Sequence, residues 1–231
     1  HAVMTEGPAA GATRITLTEA PTGWQTGDQI VIAGTDPLDP TSDETVTITS
    51  IDGTTIHFDS PLQRDHIAPR ADLEVHVANL TRNVQFSSEN DAAGHRGHLM
   101  VMHTNDAQIA YASFDDMGRS DKVQGYDDHE FVDLSPHIDP IELGGDNVRG
   151  RYSVHFHKGG TDKDGTDKDG AAAQVKGSVV TDEVGWGFVN HSSHVDLIDN
   201  VAYNIPGTAY FTEAGDEIGS FINNIALRIV N

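Results

Sequence analysis

The sequence predicts an all-β fold: a parallel β-helix (a solenoid) preceded by a small antiparallel β unit. Three observations predict it. Few stretches place apolar residues at i, i+3, i+4 and i+7 over ten or more positions, so helices are scarce. Short β-branched runs dominate instead, separated by Gly, Asp, Asn and Pro. Two segments in the last quarter overlay with a constant step of 22 residues, each with one short strand.

The first part, residues 1–75, reads as the antiparallel unit. RITL (14–17), QIVIAG (29–34), TVTITSI (45–51) and TIHF (55–58) are strand-like. Trp24-Gln-Thr-Gly-Asp28 is a turn leading into QIVI, and SIDGTTIHF is a hairpin with Asp52-Gly53 as its turn. Residues 76–231 read as the coils. GSVVTDEVGWGFVNH (177–191) lies on DNVAYNIPGTAYFTE (199–213), which puts Val179 on Val201, Phe188 on Tyr210 and His191 on Glu213. NNIALRIVN (223–231) begins a third copy, with Ile225 at the position of Val201. One coil cannot bury its own inward face, so stacking supplies the core. Asn83, Asn147, Asn200 and Asn224 each precede an apolar residue and are candidates for a ladder between rungs. Insertions fall near 120–146 and 159–170. The second contains GGTDKDGTDKDG, whose aspartates Asp162, Asp164, Asp167 and Asp169 make 161–170 either a calcium-binding loop or a solvated one. The last strand-like segment reaches the final residue. A further chain segment or a subunit is therefore expected over the C-terminal coil.

With 36 acidic and 14 basic residues among 231, the formal charge is -22. Such a surface repels nucleic acid and anionic membrane, and it repels a polyanionic glycan unless a local basic patch overrides it. Mean hydropathy is -0.39, and no apolar run approaches the roughly 18–20 residues that cross a bilayer, so membrane insertion is not expected. Cysteine is absent, which excludes disulfides, thiolate metal sites and a cysteine nucleophile. His1 is no natural start, so an upstream segment is expected.

The chemistry concentrates in RYSVHFHK (151–158). Side chains alternate along a strand, so Val154 and Phe156 enter the core while His155 and His157 face outward. The 22-residue step adds His191 and Glu213 one coil apart. Aligning YSVHFH with HLMVMH (98–103) also sets His157 over His103. Several neutral imidazoles with one carboxylate form the donor set of Zn²⁺ or a related transition ion; the alternative is a hydrogen-bonded stack without metal. Two weaker constellations remain. In GRSDK (118–122), Arg119, Asp121 and Lys122 could take a sugar carboxylate or pair on the surface. In TEAGDE (212–217), Glu213, Asp216 and Glu217 are either an acid–base pair for glycoside cleavage or an acidic turn. P-loop, dinucleotide and nucleophile-elbow motifs are absent.

GWQTGDQIVIAGTD, DSPLQRDH, VANLTRNV, GHLMVMH, RYSVHFHKGG, VNHSSHV and GTAYFTEAGDE occur in one order across residues 14–226. Together they resemble the cell migration-inducing hyaluronidase family, bacterial members included. The resemblance implies part of an eight-glycine domain followed by a right-handed parallel β-helix, in an extracellular or cell-surface protein that acts on or binds polysaccharide. It places the family's histidine and acidic motifs on His98, His155, His157, His191, Glu213 and Glu217, and favours His98 over His103. Gly207-Thr208 and Glu213-Ala214-Gly215 depart from its Gly-His and Glu-Asp-Gly. The combined expectation is a glycan groove with His98, His155, His157, His191 and Glu213 as metal ligands, and Glu213 and His157 as acid–base groups. Hydrolysis and elimination both stay open. So does a non-catalytic carbohydrate-binding or structural module with a structural histidine–metal site.

Overall fold

The computed structural model describes residues 1–128, 147–159 and 170–230. Most of the first insertion and the aspartates of the expected calcium loop lie outside these residues. Every regular element is a strand except one 3₁₀ turn, Ala93–His95; among the described residues there is no α-helix.

The N-terminal sheet is antiparallel. β1 (Ala2–Val3), β2 (Arg14–Thr16), β3 (Gln29–Ile32), β4 (Glu44–Asp52), β5 (Thr55–Phe58) and β6 (His76–Asn79) are ordered β1-β6-β3-β4-β5-β2. The alternation in TVTI buries Val46 and Ile48 against Ile30, Ile32, Ile56 and Val77. Asp52-Gly53 closes the β4–β5 hairpin, with Gly53 at φ 59°, where a side chain would be strained. This unit extends beyond residue 75. Val77 and Ala78, both fully buried, tie β6 to β3, so the expected boundary at 75/76 moves past Asn79.

From Val84 the chain coils. β7 (Val84–Ser87), β8 (Leu99–Met102) and β9 (Gln108–Ala110) form the first turn. β10 (Ala112–Asp115), β11 (Val154–His157) and β12 (Ala173–Lys176) form the second. β13 (Val179–Thr181), β14 (Phe188–His191) and β15 (His194–Ile198) form the third, and β16 (Val201–Pro206), β17 (Tyr210–Thr212) and β18 (Ile218–Ile222) the fourth, with β19 (Ile225–Val230) starting the next. Each strand pairs in parallel with the strand three elements later, which produces three sheets: β19-β16-β13-β10-β7, β17-β14-β11-β8 and β18-β15-β12-β9. The overlay is the register: Val179 pairs with Val201, Phe188 with Tyr210 and Val201 with Ile225.

Inside the coil, Phe114, Val154, Phe156, Val175, Phe188, Val195 and Leu197 make one core. Like residues stack: Phe86 lies parallel to Phe114 at 5.1 Å and Phe188 to Tyr210 at 5.3 Å. At the corners the chain turns through left-handed backbone. Asp116, Asp182, Asn204 and Arg228 share one corner column; Tyr111, Gly177, Asp199 and Asn223 share another; His103, Lys158 and Ser192 share the third. The expected asparagine ladder is shorter than four. Asn224 Oδ1 accepts from both the backbone and side-chain nitrogens of Asn200, and Asn200 Oδ1 accepts from Ser178 N. Asn83 lies one register position ahead of the ladder, where Val84 stands instead, and Asn147 bonds Asp121 and Gly125 in the loop.

The antiparallel unit docks on the outer face of the β7–β19 sheet. Val31, Ala78 and Leu80 meet Val179, Val201 and Tyr203, and a buried Asp43 accepts from Tyr203 Oη (2.7 Å) and Arg228 Nε (2.9 Å). Where that face becomes polar, at Gln85, Ser113, Asp115 and Thr181, the seam opens into a cleft of about 420 Å³.

Candidate active site

The site lies on the outer face of the β8–β11–β14–β17 sheet. Val154 and Phe156 enter the core, which sends His155 and His157 outward. In parallel register His157 pairs with His191, and the next rung carries Glu213, whose N–H donates to Asn190 O. His157, His191 and Glu213 thus form one column, and His155 stands one pleat to the side. Although it faces outward, His155 is only 1% exposed.

Three donor atoms converge. One donor atom from each of His155, His191 and Glu213 lies within 4.8 Å of the other two. Glu213 Oε2 is 3.2 Å from His191 Nδ1 and 3.8 Å from His155 Nε2. His155 Nδ1 is 2.9 Å from the carbonyl oxygen of Gly150. A carbonyl only accepts, so Nδ1 carries the proton and Nε2 turns its lone pair toward the carboxylate. His155 Nε2 and Glu213 Oε2 are both buried and make no hydrogen bond among the described residues. Two buried acceptor atoms facing each other need a cation or a shared proton between them. The orphaned pair, the fixed tautomer and the N₂O donor chemistry fit a transition metal such as Zn²⁺.

The remaining groups tune that triangle. Tyr152 Oη donates to Glu213 Oε1 at 3.2 Å and fixes the carboxylate; burial first, then the Glu213 charge, raises the pKa of the phenol, so it stays protonated. Burial lowers His155 to about 4. It does the same to His157, with the His191 and His155 charges adding, so both rings are neutral at pH 7. The His157 ring lies edge-on to His191, centroids 4.6 Å apart, and its Nδ1 is buried without a hydrogen bond among the described residues.

The other expected residues stand differently. His98 is outside the triangle; burial, then the charges of Arg119, Arg151 and His155, holds it near 4. His103 does not lie over His157. Met102 does, and His103 sits on the corner at φ 56°. LMVM is apolar throughout, so it carries no alternation to fix a register that one residue of slip reverses. Glu217 is a loop staple: its carboxylate accepts the N–H groups of Ala214, Gly215 and Ser192, which lower its pKa against its burial. Asp121 caps Val123 N and Gln124 Nε2 and forms no ion pair with Arg119 or Lys122.

Sequence reasoning missed an aromatic wall beside the triangle. Tyr152 stacks on Trp186 at 4.9 Å and lies 5.1 Å from the His155 ring, and Trp186 contacts Phe211 at 3.9 Å. Only the coil-to-coil register brings these rings together. The signal available was an aromatic at the same place in successive coils, Tyr152 and Trp186 each standing two residues before the paired core positions Val154 and Phe188.

Residues 133–231 match the family model described as CEMIP beta-helix. A G8 domain-containing protein of Dictyostelium discoideum is 27% identical over 204 residues, covering 87% of this chain and 15% of its own length. The cell surface hyaluronidase of Danio rerio is 24% identical over 220 residues, covering 92% of this chain and 15% of its own. The chain therefore spans about a seventh of these relatives. They and the family match support the resemblance carried by the motifs. Among solved structures, the tailspike protein gp49 from Pseudomonas phage LKA1 overlaps 96% of this chain and 32% of its own at 12% identity, with a TM-score of 0.30. No helix among the described residues is long and apolar enough to cross a membrane.

Proposed function

We propose that the chain carries a metal-assisted, glycan-cleaving site in a groove on the outer face of a right-handed coil, in an extracellular or cell-surface protein. The supporting observation is the His155–His191–Glu213 triangle, half-buried at His191 and Glu213, in which two buried acceptor atoms face each other without a hydrogen bond among the described residues. The relative named cell surface hyaluronidase supports a polysaccharide substrate.

Each residue has a part. His155 Nε2, His191 Nδ1 and Glu213 Oε2 would hold the ion, Zn²⁺ first among candidates. When bound, such an ion lowers the pKa of a coordinated water toward about 7 and polarises the substrate. Gly150 fixes the His155 tautomer, and Tyr152 holds Glu213 Oε1. With both oxygens engaged, Glu213 has none left for proton transfer. That role passes to His157, neutral at pH 7 and adjacent to the triangle. The aromatic wall excludes water and offers ring faces to the sugar. His98 acts beside Arg119 and Arg151 at the groove's margin. The Asp-rich 161–170 loop is proposed as a separate calcium site. The exposed Phe221 and Ile222 on the last coil would be covered by a further segment or subunit.

A second reading, a glycan-binding or structural module with a structural metal, draws on the formal charge of -22, which opposes a polyanionic substrate. One experiment separates the two: elemental analysis of the purified protein beside a cleavage assay on hyaluronan and a glycan panel, with and without chelator. Stoichiometric metal and activity lost on chelation or in His191→Ala support the enzyme. Metal without cleavage, and melting lowered by chelation, supports the module. Protein that binds no metal sinks both.

A further inference from the structure

Lys122 is a charged groove residue that the metal-centred reading leaves unused. Its N–H donates to Val184 O at 3.0 Å, which sets it beside Trp186. The side chain then folds across the wall. Its ammonium lies 3.2 Å from the Trp186 ring centroid, 4.7 Å from that of Tyr126 and 5.2 Å from that of Tyr152. Among the described residues no carboxylate comes within 4.0 Å of it. Burial lowers its pKa to about 8, with the Glu213 charge opposing.

Two of the nearby cations are paired with carboxylates. Asp128 holds Arg149 at 2.9 Å and Asp116 holds Arg96 at 2.8 Å. Arg119 and Arg151 donate to the carbonyls of Arg96 and Arg149 and neighbour His98. Lys122 therefore brings a partly dehydrated, ring-seated positive charge, without a carboxylate partner among the described residues, to the Tyr152–Glu213 side of the site. In a chain of net charge -22, such a charge has the chemistry of an anion receptor.

Taking the groove as a glycan site, as above, we propose that Lys122 determines its specificity by binding the carboxylate of a uronic-acid unit beside Glu213. The flexible stem lets the ammonium lean off the indole toward the carboxylate without moving the loop.

The probes are a hexasaccharide of alternating glucuronate and N-acetylglucosamine and its carboxyl-reduced, neutral counterpart, which differ in charge alone. Affinities are measured by calorimetry at low salt for the full chain and for Lys122→Met, Lys122→Gln and Lys122→Arg, each checked for unchanged circular dichroism. Wild type should bind the acidic form at least about tenfold tighter than the neutral one. Lys122→Met and Lys122→Gln should bring the acidic form down to the neutral form's affinity and leave the neutral form within about twofold. Lys122→Arg should keep the preference. If wild type prefers the acid and Lys122→Met and Lys122→Gln keep that preference, the role of Lys122 is overturned while the glycan site stands, with Arg119 and Arg151 as the readers. If wild type binds neither form, the glycan site and the role of Lys122 fall together.

Discussion

Two polar columns climb the same coil, and they are satisfied to very different degrees. In the asparagine column, next to a corner, every polar atom of Asn200 is used. Its Nδ2 donates to Val175 O and Asn224 Oδ1, its Oδ1 accepts from Ser178 N, and Asn224 Nδ2 closes on Leu197 O. On the outer face, His155 Nε2, His157 Nδ1 and Glu213 Oε2 are equally buried and have no hydrogen bond among the described residues. Both columns arise from the same cause, like residues repeated at one rung spacing. A saturated column stabilises the coil; an unsaturated one holds binding capacity in reserve. The two should therefore respond oppositely to substitution.

The largest expected effect is on metal affinity. Losing a ligand should cost more than the 10–100-fold typical of losing a group behind the ligands. His191→Ala should thus drop affinity for Zn²⁺ by more than about 100-fold, read by competition with a chromogenic chelator, with metal-free melting essentially unchanged. A large fall in metal-free melting would make the histidine column structural and erase the contrast. Next comes Asn200→Ala. It strips three side-chain hydrogen bonds and leaves Ser178 N without its acceptor, while Asn224 Oδ1 keeps the Asn200 backbone N–H, at a cost of about 2–3 kcal/mol. Chemical denaturation should show that loss, with Zn²⁺ affinity of the folded protein unaltered.

A third effect is pH-linked. In the folded chain His98, His155 and His157 each titrate near 4, against 6.5 when free. The unfolded chain then binds more protons between those values, so metal-free stability is full above about 6.5 and is lost as pH falls toward about 4. The asparagine column has no proton to gain. His155→Gln should flatten that slope in urea titrations across pH 4–7, whereas Asn200→Ala should lower the whole curve without changing its shape.

The coil was legible in the sequence because β-helix registry is written as a period. The 22-residue step alone put Phe188 on Tyr210 and His191 beside Glu213. Registry failed where the period is broken. The loop before β11 hides the distance from His98 to His155, and LMVM offers no alternation, so His103 was misplaced by one residue. The division at 75 failed for a different reason. β6 is apolar like a coil strand, and only its partners β1 and β3 reveal which sheet it joins. Tyr152 and Lys122 belong to irregular segments whose positions depend on contacts such as Lys122 N to Val184 O, which no local pattern encodes.

The smallest expected effect concerns the corners themselves. Apart from Tyr111 and Arg228 at their ends, the columns at Asp116, Asp182 and Asn204 and at Asp199 and Asn223 use residues that tolerate left-handed backbone, and Asn204 and Asn223 bond back to Asp182 and Asp199. The corner after the histidine strands has His103, Lys158 and Ser192, so Lys158 bears its φ of 55° without an Asx side chain to repay it. Lys158 is exposed and its backbone N–H already bonds His191 O. Lys158→Gly keeps that bond and removes the Cβ clash, so it should stabilise the chain by up to about 1 kcal/mol. Asp199→Gly removes the acceptor for Asn223 and should destabilise. Paired melting curves would decide it. A gain at 199 or a loss at 158 would mean that corner strain is not concentrated beside the site, and that the histidine face is as relaxed as the rest of the coil.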